Sequence, residues 1–437
     1  MSMRVLARGA VALTVAGTMA AVVAACTDKS ADVLGPQPSQ GDGMFQSYVA
    51  LGNSITAGYQ SGGINDSTQK RSYAVLLAGQ MGTRFAYPAV AMPGCPPPIS
   101  NFLTQARVTP TGFPPSTSTS CYLRTTASST DILNNVAVPG ATSFDPNAAT
   151  TSSSNLLTTL VLGGKTQVQR ALDATPTFAS VWLGNNDVLA PALSGVIGGA
   201  TPLTTFQTNY DKTIGDLVAG APGLQGVLIG VVNVTNAPAL FPVSLLINSA
   251  AFRGAFDQAA GFNPASSDPF KKTPLTIDAS CTTQQTTLVS FLIAPAIASF
   301  RNDSTKADPT QRAGHPPVIQ CGSTGTAVGE AYILLPAEIT ALTTLVNGYN
   351  TYISGKAQAE GFAYVNPNQA LDSLKALGEI APGPNFASPN LATAPFGKWV
   401  SLDGVHPSSA AHALLANYVI NAINAKYGTT LAKVAVP

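Results

Sequence analysis

The sequence predicts an α/β protein, a parallel sheet with helices on both faces. Three observations carry that prediction. Short apolar runs alternate with helical patterns five times along the chain. Runs such as Val227 to Val232 are continuous rather than alternating, as in strands covered on both sides. The chain has 437 residues, of which 45% are apolar and 10% charged, enough for a large core.

The first strand reads from Tyr48 to Leu51 and stops at Gly52-Asn53-Ser54. Helical spacing follows over Ser72 to Met81, closed by Gly82. Residues 87–130 are rich in Pro, Ser and Thr and read as a surface insertion. A second strand is expected over Asn134 to Val138, turning at Pro139-Gly140, with a polar loop over 145–154. Leu156 to Leu172 has a helical pattern that Gly163-Gly164 weakens. Phe178 to Leu183 is the third strand and ends at Gly184-Asn185-Asn186-Asp187. Leu203 to Ala219 is amphipathic, and Val227 to Val232 is the fourth strand. A second insertion, about 239–332, carries two apolar stretches read as helices, Leu245 to Phe256 and Thr287 to Phe300. They are candidates for a lid or an acyl-binding wall, or for extra core. A long helix over Pro336 to Ala359 precedes the fifth strand, Phe362 to Val365. Trp399 to His406 reads as a loop, and Pro407 to Lys426 as a helix with proline at its start and Gly428 beyond its end.

Ahead of this body lies an address. Arg4 and Arg8 precede a short run of apolar and small residues that ends in Val23-Ala24-Ala25-Cys26. This resembles a bacterial lipobox, which implies a cleaved leader over 1–25 and a lipid on Cys26. The expectation is a protein of the bacterial envelope, anchored to membrane through that lipid at the outer membrane or cell surface. Residues 26–43 would be a polar tether, and 44–437 the folded body. Four other cysteines, Cys95, Cys121, Cys281 and Cys321, allow three pairings. Cys95–Cys121 and Cys281–Cys321 are favoured, because each pair brackets one insertion. The formal charge of +1 offers no basic patch for a nucleic acid. No Cys-x-x-Cys or His-Glu-x-x-His spacing points to a metal, and no cofactor is expected.

Four segments lie at one end of the deduced sheet, the edge where such sheets keep their ligands. Ser54 offers a nucleophile just past a strand. Gly140 offers an unshielded backbone N–H. Asn186 offers a side-chain amide. Asp403-Gly404-Val405-His406 offers a base and, three residues before it, a carboxylate able to hold the imidazole in one tautomer. Alone, each is weak: serine caps helices, glycine ends strands and asparagine caps turns. His412 reads as packed or surface, and His315 has no assigned role. The nucleophile elbow Gly-x-Ser-x-Gly is excluded, since residue 56 is threonine.

Together and in this order, Gly52-Asn53-Ser54, Gly140, Gly184-Asn185-Asn186-Asp187 and Asp403-Gly404-Val405-His406-Pro407 resemble the four signature blocks of the SGNH (GDSL-type) hydrolases. The resemblance spans about 48–427 apart from the insertions. It implies a flavodoxin-like three-layer sandwich, a five-stranded parallel sheet of order 2-1-3-4-5, and ester hydrolysis through an acyl-enzyme. On this match Ser54 is nucleophile, His406 base and Asp403 its partner, with Ser54, Gly140 and Asn186 as oxyanion hole. The family's usual aspartate is Asn53 here. The expected substrate is a small ester, a lipid or an acylated glycan. A carbohydrate O-deacetylase with the same triad, or a catalytically silent binding lipoprotein, are the alternatives.

Overall fold

A computed structural model describes residues 43–123, 131–148, 156–306, 308–322 and 331–437. The leader, Cys26 and all but the last residue of the tether lie outside the described residues. In chain order the elements that build the site are β1 (Tyr48–Gly52), α1 (Ser54–Ala57), α2 (Tyr73–Met81), α3 (Gln167–Asp173), β2 (Phe178–Trp182), α4 (Asn186–Ser194), α5 (Leu203–Gly220), β3 (Gln225–Ile229), α6 (Pro336–Ala359), β4 (Ala363–Val365), α7 (Pro367–Ala376) and α8 (Ser409–Tyr427). The sheet is parallel, in the order β1-β2-β3-β4.

Burial explains the unalternating strands. Val49 and Leu51 of β1 join a core with α3, α5 and α6, while Tyr48 and Ala50 point the other way, into a core with α2 and α8. A strand covered on both faces has no position left for a polar side chain to reach water. On α8, Val419, Ile420 and Ile423 are buried, each contributing about 1.5–3 kcal/mol.

Among the described residues the sheet has four strands rather than five. The expected second strand lies along the open side of β1, yet forms only an isolated parallel bridge, Asn135 to Ala50. Its backbone still bonds to β1 through Ala50 N to Asn134 O, Val136 N to Ala50 O and Val138 N to Gly52 O. The cause is local. The Asn135 side chain accepts from Ala137 N, and Pro139 has no N–H to continue the ladder.

Four other expectations change. The stretch 156–172 is two helices, 156–162 and α3, because Gly163 and Gly164 both take positive φ. Leu245 to Phe256 is likewise two helices, Ser244–Asn248 and Ala250–Ala259, separated by Ser249, whose hydroxyl caps the second. Thr287 to Phe300 is not one helix: Leu288–Ser290 is the middle strand of a small antiparallel sheet with Leu240–Pro242 and Ile333–Leu334, and a helix follows at Ile293–Asn302. The last helix starts at Ser409, capped by Ser408, because Pro407 pairs with Val400 across a tight hairpin. His406 therefore sits on that hairpin rather than on the helix.

Both disulfides are present, Cys95–Cys121 and Cys281–Cys321, each within one insertion. The second insertion has an apolar core of its own, around Phe241, Phe256, Ile293 and Ile297. Beside it, buried Arg301 is paired with Asp257 at 2.7 Å.

Candidate active site

β1 delivers the serine. Gly52 is required where the strand ends: a Cβ there would lie 2.3 Å from Thr56 Oγ1 and 2.9 Å from the Trp182 carbonyl. Asn53 then caps α1, its Oδ1 accepting from Ile55 N at 3.1 Å. Asn53 thus supports the turn as its position suggests, although its buried Nδ2 finds no acceptor among the described residues. Ser54 is the first residue of α1, so its N–H has no partner within the helix.

The hairpin before α8 delivers the base. Val400 pairs with Pro407, Ser401 N donates to His406 O, and Gly404 takes φ +72° at the tip. His406 Nε2 lies 2.9 Å from Ser54 Oγ, and His406 Nδ1 lies 2.8 Å from Asp403 Oδ2. An ionised carboxylate can only accept, so Nδ1 carries the proton and Nε2 is left to accept from the serine hydroxyl.

Asp403 is heavily braced. Oδ1 accepts from Val405 N, His406 N and Ser401 Oγ, at 3.0, 2.9 and 3.1 Å. Oδ2 accepts from Gly62 N at 2.7 Å in addition to the imidazole. Burial pushes this carboxyl up, but His406 and the hydrogen bonds from the His406 and Val405 backbone outweigh it and hold the group well below the ordinary aspartate range. The 59–63 loop that supplies Gly62 was not foreseen as part of the site. Ser61 N donates to Ser401 Oγ at 2.9 Å, and Arg107 of the first insertion donates to the carbonyls of Gly62 and Pro97. Tyr59 lies against the imidazole, ring centroids 4.8 Å apart, and burial together with the Asp403 charge pushes its hydroxyl up to about 12. Ser61 and Gly62 both take positive φ there, a turn that a polar Gly/Ser loop permits but does not specify in sequence.

The two remaining segments meet. Asn186 Nδ2 donates one hydrogen to Ala141 O at 2.8 Å, which leaves its second N–H available. Asp187 accepts from both the backbone N and the hydroxyl of Ser143, at 2.8 and 2.6 Å. These bonds tie the Gly140 turn, φ +85°, to the start of α4. Val138 N, two residues earlier, bonds Gly52 O beside Ser54. Asn186 and Ser54 face one cavity of about 140 Å³, while Gly140 sits exposed on the turn beside it.

That cavity is apolar. Ile55, Trp182, Leu189, Val232, Leu371 and Leu374 line it together with Ser54 and His406. Much of the wall is α7, an element absent from the sequence reading, although Asn366-Pro367 is a cap followed by a first-turn proline. Neither insertion helix lines it, so the expected lid or acyl wall is not found at this cavity. His412 is packed in the core under α2, its Nδ1 accepting from Tyr73 N, and burial followed by the His406 charge pushes it down to about 3. His315 is buried in the second insertion, far in sequence from every site segment.

A model of the GDSL-like lipase/acylhydrolase family matches residues 48–419. No curated protein matches the chain. The family match runs from the first strand of the sheet into the last helix and takes in every segment that meets at Ser54. The chain belongs to the GDSL-like lipase/acylhydrolase family, a family of serine ester hydrolases.

Proposed function

We propose that the protein is a serine esterase of lipase-like habit, cleaving carboxylic esters with aliphatic acyl groups through an acyl-enzyme. The reading rests above all on one observation, the unbroken hydrogen-bond relay from Ser54 Oγ through His406 to Asp403. Ser54 Oγ attacks the ester carbonyl carbon as its proton passes to His406 Nε2. The oxygen that becomes negative is received by the Ser54 and Gly140 N–H groups and the Asn186 amide. Such donors are each worth about 3–4 kcal/mol in serine hydrolases. The bond from carbon to the alcohol oxygen then breaks, and His406 hands its proton to that oxygen. Water, deprotonated by His406, attacks the acyl-serine. Carboxylic acid leaves, and the proton returns to Ser54.

An apolar cavity beside the nucleophile favours an alkyl chain over an acetyl group on a polar sugar. The lipobox-like Val23-Ala24-Ala25-Cys26 supports a lipid anchor at Cys26, a leader over 1–25 and a tether over 26–43. On that reading the hydrolase body, 44–437, works at the bacterial envelope. A fluorophosphonate tests the catalytic reading. It should label the wild type at Ser54, lose all labelling in Ser54→Ala, and react at least a hundredfold more slowly with His406→Ala. Equal labelling of the serine variant would sink the proposal.

A further inference from the structure

A second concavity, of about 770 Å³, has in its lining Asp403, the residue whose carboxylate holds His406 Nδ1, the ring nitrogen remote from Ser54. Residues of both insertions and of the segment 386–403 line it, Leu402 and Asp403 among them. Its floor is aromatic: Phe102 packs against Phe291 and Phe396, ring centroids 5.6 Å apart in each pair. Its sides are two helix faces cut back to alanine. Ala255 and Ala259 stand four apart on one insertion helix, and Ala294 and Ala298 four apart on the other. Residues four apart share a helix face, so the small side chains leave a continuous trough. Leu103 and Leu292 stay about half exposed at its rim, at 59% and 47%.

Three polar side chains stand in the lining, and one of them, Gln258, is exposed and uncharged. Gln105 Nε2 donates to Phe102 O, and both Asp403 oxygens are occupied by the donors that brace the triad. Among the described residues no lysine or arginine lines it, so an anionic headgroup meets no cation there. The volume falls in the range of ligand sites, 300–1,000 Å³ in order of magnitude.

We infer that this trough is the binding site for the alcohol half of the substrate, and that the alcohol is a long, uncharged aliphatic one. The inference rests on the esterase reading and deepens it. The departing oxygen must take its proton from His406 Nε2, so the leaving group lies against the imidazole. Asp403, on the far edge of that ring, belongs to the trough's lining. The acyl chain occupies the cavity at Ser54 and the alkyl chain of the alcohol crosses the imidazole into the trough. Both insertions then act in substrate choice on the leaving-group side, not as a lid over the acyl side.

The test uses the full folded body with ethyl, butyl and octyl butyrate, which hold the acyl group constant. The trough is open along one side, so about twofold per methylene is expected. From ethyl to octyl, kcat/KM should therefore rise on the order of 50-fold. Ala298→Trp fills the trough, and Leu292→Asp, at an exposed position that leaves folding alone, puts a charge at its rim. Both should flatten the rise to under fivefold while ethyl butyrate turnover and fluorophosphonate labelling stay at wild-type values. A flat wild-type profile with labelling and ethyl butyrate turnover intact overturns the trough and leaves the esterase reading standing. So does a rise equally steep in both variants. Failure of wild type to react with either ester or fluorophosphonate overturns both. If the variants alter the oligomeric state and not the alcohol profile, the trough is a contact between copies and the inference falls.

Discussion

Asp403→Asn tests the site at its most braced point. The change keeps the shape and removes one acceptor and the charge. At present Oδ1 takes three donors, from Val405 N, His406 N and Ser401 Oγ. Oδ2 takes two, from Gly62 N and His406 Nδ1. The single oxygen of asparagine is best satisfied on the three-donor side. Its NH2 then faces the Gly62 N–H and the imidazole. The imidazole answers by accepting at Nδ1, which puts its proton on Nε2, facing Ser54, where it can no longer serve as base. The equivalent change in a serine protease triad lowers kcat by about 10⁴, and we expect 10³ to 10⁴ here, about 4–5.5 kcal/mol of activation free energy. The Gly62 N–H, left against another donor in a part-buried site, costs about 1–3 kcal/mol of stability. Steady-state hydrolysis of nitrophenyl butyrate and a urea unfolding curve measure the two effects separately. A kcat within tenfold of wild type, with the unfolding midpoint unmoved, would refute the assignment of Asp403 as the group that orients His406.

Asn186→Ala removes a donor aimed into the cavity and the strut to Ala141; kcat should fall by about 10² to 10³ with KM changed little, and a pure KM effect would count against the oxyanion role. His412 is a pH liability. Its folded value is lowered to about 3 against about 6.5 when unfolded, so the unfolded chain binds the extra proton between those values. Stability therefore falls as pH drops below about 6.5, by about 1.4 kcal/mol per unit, and urea curves at pH 7.5 and 5 should differ less in His412→Gln than in wild type. Asp403 has the other usual form: its folded value is depressed, so its contribution is complete above the ordinary aspartate value and is lost only as pH falls below it. The disulfides close loops of 26 and 40 residues, worth about 3.5 and 4 kcal/mol by chain entropy. Replacing the first pair by serines should also lower kcat, since that insertion carries Arg107 and so holds Gly62. Replacing the second should lower the melting temperature and leave turnover of ethyl butyrate, whose alcohol is too short for the trough, unchanged.

The parts of the site legible in the sequence are those in which one residue type does one job at one spacing. Ser54 follows a strand that can only be buried, and Asp403 stands one turn before His406. The bracing was not legible. Gly62 and Ser401 act through backbone and hydroxyl groups whose partners lie about 340 residues away, and neither leaves a pattern. The run Leu288 to Ile297 is apolar apart from Ser290, so periodicity cannot separate strand from helix. Pairing with Leu240–Pro242 and Ile333–Leu334 decided it in favour of a strand at its start. The acyl-side wall was missed for the opposite reason. α7 is short, with Asp372 and Lys375 among its few apolar positions, and resembles a surface loop until it is docked beside Val232 and Trp399.

Ser54 and His406 are separated by 352 positions, and the hairpin carrying the imidazole is held down by the helix that comes after it. The nucleophile therefore leaves the ribosome 352 residues ahead of its base. A molecule synthesised only as far as its sheet is chemically mute until that hairpin follows. Turnover thus reports on completion: it appears when the two distant parts of the chain first lie together, which makes the appearance of activity a clock for the final step of assembly.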